Sequence, residues 1–179
     1  MKHNIEYTHK NIKLAPIQLN DIEQLRHWRN DKSLTKGLAE IDYITKEKQE
    51  AWYQKDLEDK DCYSFGIYET EELNEIIGSV ALYNFDEKCA ECGRLFLGNI
   101  NVRGKGYGHL ATVLCVQIAF DELDLDEVIA YVFEDNIAAL TSNKKLGFKV
   151  IEKDDKNEFK IKVTKEEFWN INSFLYKKS

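Results

Sequence analysis

Residues 103–108 read Arg-Gly-Lys-Gly-Tyr-Gly, and Leu110, Leu114 and Ile118 follow at helical spacing. Glycines at 104, 106 and 108 leave the main chain uncovered, so successive N–H groups can converge on an anion at the positive end of the helix. A phosphate or diphosphate suits that chemistry, with Arg103 and Lys105 beside it. A strand-to-helix turn that only needs glycine conformations accounts for one such glycine better than for three. Five residues separate Gly98 from Gly104, one more than a P-loop has, and Gly106 stands where that loop carries its magnesium-binding hydroxyl. The spacing GxGxG also differs from the dinucleotide fingerprint GxGxxG. Nucleotide hydrolysis and nicotinamide or flavin binding are therefore not expected. Cys89 and Cys92 have CxxC spacing, but no second CxxC or nearby His pair completes a tetrahedral zinc site, so no metal is expected.

The elements around this turn follow from periodicity. Residues 12–17 alternate as a half-buried strand, and Asn20 with Glu23 has the spacing of a capping box opening a helix through Ile22, Leu25 and Trp28. A second helix starts after Thr45. Strands at 62–69, 76–85 and 91–97, separated by polar breaks, form an antiparallel meander. After the Gly-rich turn and its helix come a strand at 128–133, a helix at 136–146 stopped by Gly147, and strands at 148–151 and 159–163. Thr164 and Glu167 form a second capping box, opening a C-terminal helix.

Arg103 to Gly108 matches the R/Q-x-x-G-x-G/A loop, and the chain resembles the GNAT N-acetyltransferase superfamily. Asn136-Ile-Ala-Ala139 and Lys145-Leu-Gly-Phe148 resemble that family's next helix and its closing Gly-Phe. Trp28-Arg29-Asn30-Asp31 and Ile77-Gly78 resemble the branch with ribosomal-protein N-terminal and bacterial amino-sugar acetyltransferases. The resemblance covers nearly the whole chain and implies one α+β (mixed α/β) GNAT-like domain over residues 1–179. Its mostly antiparallel mixed sheet would have six to seven strands, splayed in the middle and flanked by helices.

The resemblance implies acetyl-CoA as acyl donor. Arg103, Gly104, Lys105, Gly106, Tyr107 and Gly108 would hold the coenzyme A pyrophosphate through main-chain N–H groups. The pantetheine arm would lie along the strand end at Leu97 and touch Asn136, which can equally cap its helix. Asn143 stands among these coenzyme-binding positions where many members carry a Tyr that protonates the leaving thiolate, and Asn cannot be that acid.

Acetyl transfer needs a neutral amine, and a lysine-like amine with a pKa of about 10.4 is almost wholly protonated at pH 7. A general base is therefore required. Glu91, in the central strand, is the first candidate, against the alternative of a strand-edge carboxylate in an ion pair. Glu134, just past the next strand, is the second, against a solvated loop charge. Trp28, Arg29 and Tyr83 are the candidate lining of the acceptor pocket, although the helical spacing of Trp28 from Leu25 favours the core for the indole, and Arg29 suits a phosphate, a sugar or a carboxylate on the next element.

The acceptor implied is a primary amine of a small molecule, with a nucleotide-linked amino sugar ahead of a protein N-terminus. A non-catalytic acyl-CoA-binding module is the competing reading, and an anion site for another nucleotide is the third. The 32 acidic against 25 basic side chains leave a net charge of −7, which argues against nucleic acid. Without a signal-like N-terminus or a long apolar run the chain reads as cytoplasmic with no membrane partner, its four cysteines reduced, and either a monomer or a homodimer.

Overall fold

The structure, a computed structural model, describes residues 3–35 and 42–176. In chain order it runs β1 (Tyr7–His9), β2 (Ile12–Pro16), α1 (Ile22–Asn30), α2 (Lys46–Glu58), β3 (Cys62–Glu69), β4 (Glu75–Asp86) and β5 (Cys89–Leu97). A short 3₁₀ turn at Ile100–Val102 leads to α3 (Tyr107–Asp121), β6 (Glu127–Phe133), α4 (Ile137–Lys145), β7 (Lys149–Lys153), β8 (Glu158–Thr164) and α5 (Lys165–Asn172). The eight strands form one open sheet in the order β1-β2-β3-β4-β5-β6-β8-β7. That is one strand more than the sequence implied, because β1 has three residues, too few to display an alternation.

Every neighbouring pair is antiparallel except β5 and β6. Their parallel ladder has three pairs and ends at Glu91 opposite Ile129, although β5 runs on to Leu97 and β6 to Phe133. Beyond that point the two strands splay, as the family resemblance implied.

The apolar helix α3 buries Ala111, Val113, Leu114, Val116, Ile118 and Phe120. They share one core with Leu14, Phe65, Ile77, Val80 and Leu82 of the sheet and Phe168 of α5. On the opposite face α1 and α2 enclose a smaller cluster of Ile17, Ile22, Leu25, Tyr53 and Ile76. The two capping boxes expected from sequence diverge. Thr164 and Glu167 form theirs in full at the start of α5. At α1 the cap is Asp21 and not Asn20, and Asp21 accepts from the Gln18 N–H at 2.9 Å and the Tyr68 hydroxyl at 2.5 Å. Glu23 pairs instead with Arg26 at 2.7 Å, so the box is outcompeted by a charge-assisted contact one turn on. At the end of α4, Gly147 has φ +99°, and the Phe148 N–H reaches the Asn143 carbonyl while the Gly147 N–H reaches that of Lys144, which makes a Schellman cap.

Candidate active site

The Gly-rich turn is built as its residue types require. Gly104 and Gly106 have φ of +77° and +80°, a conformation that costs a side-chain-bearing residue about 1–2 kcal/mol. A Cβ on either would meet nothing within 4 Å, so the space above the turn is open. The N–H groups of Gly104, Gly106, Tyr107, Gly108 and His109 donate to no acceptor among the described residues. They gather at the N-terminal end of α3, just past the splayed end of β5.

The side chains of the turn point elsewhere. Lys105 pairs with Glu72 of the β3–β4 turn at 2.9 Å, which raises its pKa. Tyr107 is buried, and its hydroxyl accepts from Asn11 Nδ2 at 2.7 Å. The same Asn11 amide donates to Glu69, a carboxylate held low in pKa chiefly by the main-chain N–H of Leu73. Among the described residues, the Arg103 guanidinium donates to the Leu34 carbonyl alone, at 3.5 Å. The turn therefore offers backbone, while its ring and ammonium groups anchor it to the neighbouring hairpin.

At the vertex of the splay stands Glu91, the last β5 residue paired to β6. Its Oε1 accepts from the Tyr83 hydroxyl directly opposite on β4, and its Oε2 from Asn84 Nδ2 at 2.9 Å. Burial first, and then this carboxylate, push the Tyr83 phenol well above its ordinary pKa, so it remains an O–H donor. A β4 irregularity between Tyr83 and Asp86, with Asn84 at φ +51°, brings two consecutive β4 side chains to one carboxylate.

Glu134 is not brought to this point. Lying five residues along β6 from Ile129, it sits about 16 Å beyond the level of Glu91. It is bound to Lys153 at 2.9 Å, a solvent-side ion pair. Leu97 ends β5 opposite Gly78. Asn136 caps α4 by accepting from the Ala139 N–H at 3.1 Å, and Asn143 turns its amide onto the Ala139 carbonyl at 3.0 Å.

The three residues expected around the acceptor divide. Tyr83 joins Glu91, as described. Arg29 lies half-buried with its guanidinium 5.5 Å from the Phe96 ring centre, and Phe96 shares a sheet face with Tyr83 and Glu91. Trp28 lies flat against Gly98, where an added Cβ would come within 2.1 Å of the indole. That indole lines a cavity of about 720 Å³ together with Asp21, Asp31, Tyr68, Glu75 and Asn99, away from Glu91.

Sequence reasoning missed Arg94. Strict alternation sends residue 94 to the face opposite Glu91, but Gly93 pairs with Ala81 and Phe96 with Ser79. Arg94 and Leu95 thus face Val80 alone, in a bulge where Arg94 has φ +54°. The guanidinium lies 4.0 Å from the Tyr83 ring centre, with Nη1 3.5 Å from Cys62 Sγ. No sequence signal announces such a bulge. Cys89 and Cys92 lie on opposite faces, Cys92 buried beside Cys115, so the CxxC spacing builds no chelating pair. Among the described residues, no group of three or more His, Cys, Asp or Glu could hold a metal ion, and no helix is long and apolar enough to cross a membrane.

Comparison with known proteins is consistent with this geometry. The profile of the acetyltransferase (GNAT) domain family matches residues 11–149. The acetyltransferase PseH of Campylobacter jejuni is 27% identical over 138 residues, which cover 77% of this chain and 83% of that protein. Among solved structures, apo FdhC, described as a nucleotide-linked sugar GNAT, superposes with a TM-score of 0.81 at 20% identity over 97% of each chain. The spermidine N-acetyltransferase of Vibrio cholerae, in complex with CoA and spermine, gives 0.79 at 16% identity over 90% of this chain and 100% of that one.

Proposed function

The chain belongs to the GNAT acetyltransferase family and is an N-acetyltransferase, and from that premise we propose that it moves the acetyl group of acetyl-CoA to a primary amine of a small molecule, a nucleotide-linked amino sugar. It does so as one domain spanning residues 1–179. The undonated N–H groups of Gly104, Gly106, Tyr107, Gly108 and His109 hold the coenzyme diphosphate. The pantetheine arm then runs into the splay beside Leu97, past Asn136 and Asn143.

Glu91, at the vertex, accepts a proton from the acceptor ammonium. The freed amine nitrogen attacks the thioester carbonyl, the C–N bond forms, the C–S bond breaks to release the thiolate, and the second proton of the nitrogen passes to water as the amide forms. Tyr83 and Asn84 fix the carboxylate by hydrogen bonds. Asn143 supplies no proton, because an amide cannot and its N–H is already donated within α4. The thiolate takes its proton from water, which a thiol pKa near about 8.5 permits.

The observation that carries the reading is the position of Glu91 at the last paired residue of the splay, on the face lined by Tyr83 and Arg29. The choice of a sugar nucleotide is supported by the similarity to PseH and FdhC. The test is to incubate the protein with acetyl-CoA and a panel of nucleotide-linked amino sugars, polyamines and N-terminal peptides while following free thiol. Thiol release with the amino sugars is expected; release with peptides alone would reject the acceptor class.

A further inference from the structure

The cavity beside Trp28 is a second concave site on the α1 side of the sheet. It encloses about 720 Å³, within the range of small-molecule sites. Gly98, in its wall, follows Glu91 by seven residues along β5 and its continuation, which sets the cavity about 20 Å from that carboxylate. Among the described residues, its lining holds three carboxylates, Asp21, Asp31 and Glu75, and no Lys, Arg or His. None of the three forms an ion pair among the described residues. Neutral groups meet them instead: the Tyr68 hydroxyl and the Gln18 N–H on Asp21, Ser33 on Asp31, and the Asn99 amide on Glu75. Such donors fix the carboxylates in place and leave their charge uncompensated. The Ser33 bonds also hold the Asp31 pKa below its ordinary value, so that charge is present at neutral pH. The Trp28 indole and the Tyr68 ring add aromatic wall to the same space.

We propose that this cavity binds an organic ammonium ion on a carbon body, at a site separate from the one where acetyl transfer takes place. A metal ion does not suit the arrangement, because among the described residues no three His, Cys, Asp or Glu side chains are grouped so as to hold one. An ammonium group brings N–H donors to a carboxylate, while its carbon body fills the remaining volume and packs on the indole and phenol rings, whose faces also attract the positive charge. The assignment does not depend on Glu91 acting as the base. An amine seated here is too far from Glu91 to pass it a proton, so amine binding and amine turnover are separate properties of this protein.

The experiment is a calorimetric titration of the full chain at low ionic strength, in wild type, E91Q, D31N and E75Q. Cadaverine is the ammonium probe, 1,5-pentanediol its neutral counterpart, and calcium chloride the inorganic cation. D31N and E75Q keep the size of the side chain at exposed positions, and thermal denaturation checks that each variant is folded. Cadaverine should bind wild type and E91Q equally, about threefold more weakly in each of D31N and E75Q, and about tenfold more weakly when both are combined. Pentanediol should not bind. Cadaverine binding that is lost in E91Q but kept in D31N and E75Q would put the amine at the acceptor site and overturn the proposal. Equal binding of pentanediol would leave an apolar cavity with no recognition of charge. Displacement of cadaverine by calcium, weakened by the same two substitutions, would make it a metal site. Absence of cadaverine binding to wild type would remove the ammonium site altogether. The E91Q arm keeps the two readings apart: loss of turnover there bears on acetyl transfer, while retained cadaverine binding bears on the cavity.

Discussion

Tyr83 and Glu91 are direct cross-strand partners on β4 and β5, and the Tyr83 hydroxyl donates to the Glu91 carboxylate where the parallel pairing of β5 with β6 stops. The carboxylate is thereby aimed along the α1 side of the sheet by groups that do not themselves titrate near neutral pH, since Tyr83 is pushed further up from its usual value.

Replacing Glu91 by Gln keeps the size of the side chain and removes the base. The turnover number should fall roughly a hundredfold or more, the usual scale for loss of general-base help. Affinity for coenzyme A, measured by calorimetry, should not change. Y83F should retain the base but loosen it, with a smaller fall in turnover that separates positioning from proton transfer.

Gly106→Val tests the coenzyme loop. The backbone there sits at φ +80° with open space around the missing Cβ, so a branched side chain both strains the turn and covers the N–H groups. Coenzyme A affinity should drop by about tenfold or more, while circular dichroism shows a folded protein. Unchanged affinity in a folded variant would refute the diphosphate site.

Lys105 and Glu72 form an exposed pair beside the same loop. Removing the carboxylate with E72Q frees a cation for the bound phosphates. Affinity for coenzyme A should rise two- to threefold at low ionic strength, and the gain should vanish in roughly 0.5 M salt, where exposed charges are screened.

Gly98→Ala places a methyl group 2.1 Å from the Trp28 indole. Overpacking of this kind costs about 1–3 kcal/mol, or roughly 3–10 °C in Tm for a chain of this size. The loss should shrink in a W28A background. A double-mutant cycle by thermal denaturation reads that coupling directly.

Glu167 has its pKa lowered to about 2, first by Lys149 and then by the Thr164 main chain of the α5 capping box. A carboxylate depressed in the folded state contributes stability above its ordinary value of 4.5, and that contribution is lost as pH falls toward 2. E167Q should therefore lower Tm at pH 6, with the difference closing between pH 4.5 and 2. A constant difference across that range would show that the ion pair contributes nothing through its charge.

Much of this protein is decided locally and can be read along the chain. Gly104, Gly106 and Gly147 announce positive φ angles because only glycine adopts them without cost. The long apolar run of α3 and the capping box at Thr164 likewise depend on neighbours within a few residues. Long-range register decided the rest. Whether Asn20 or Asp21 caps α1 depends on Tyr68, on a strand more than forty residues away. The bulge that turns Arg94 toward Tyr83 depends on how β5 pairs with Ser79 and Ala81, and alternation within β5 alone predicts the opposite face. The separation of Trp28 from Arg29, adjacent in sequence yet facing different spaces, is set by how α1 packs across Gly98 and Phe96. A side chain's type is local, but the face on which it lies is a property of the pairing between distant segments.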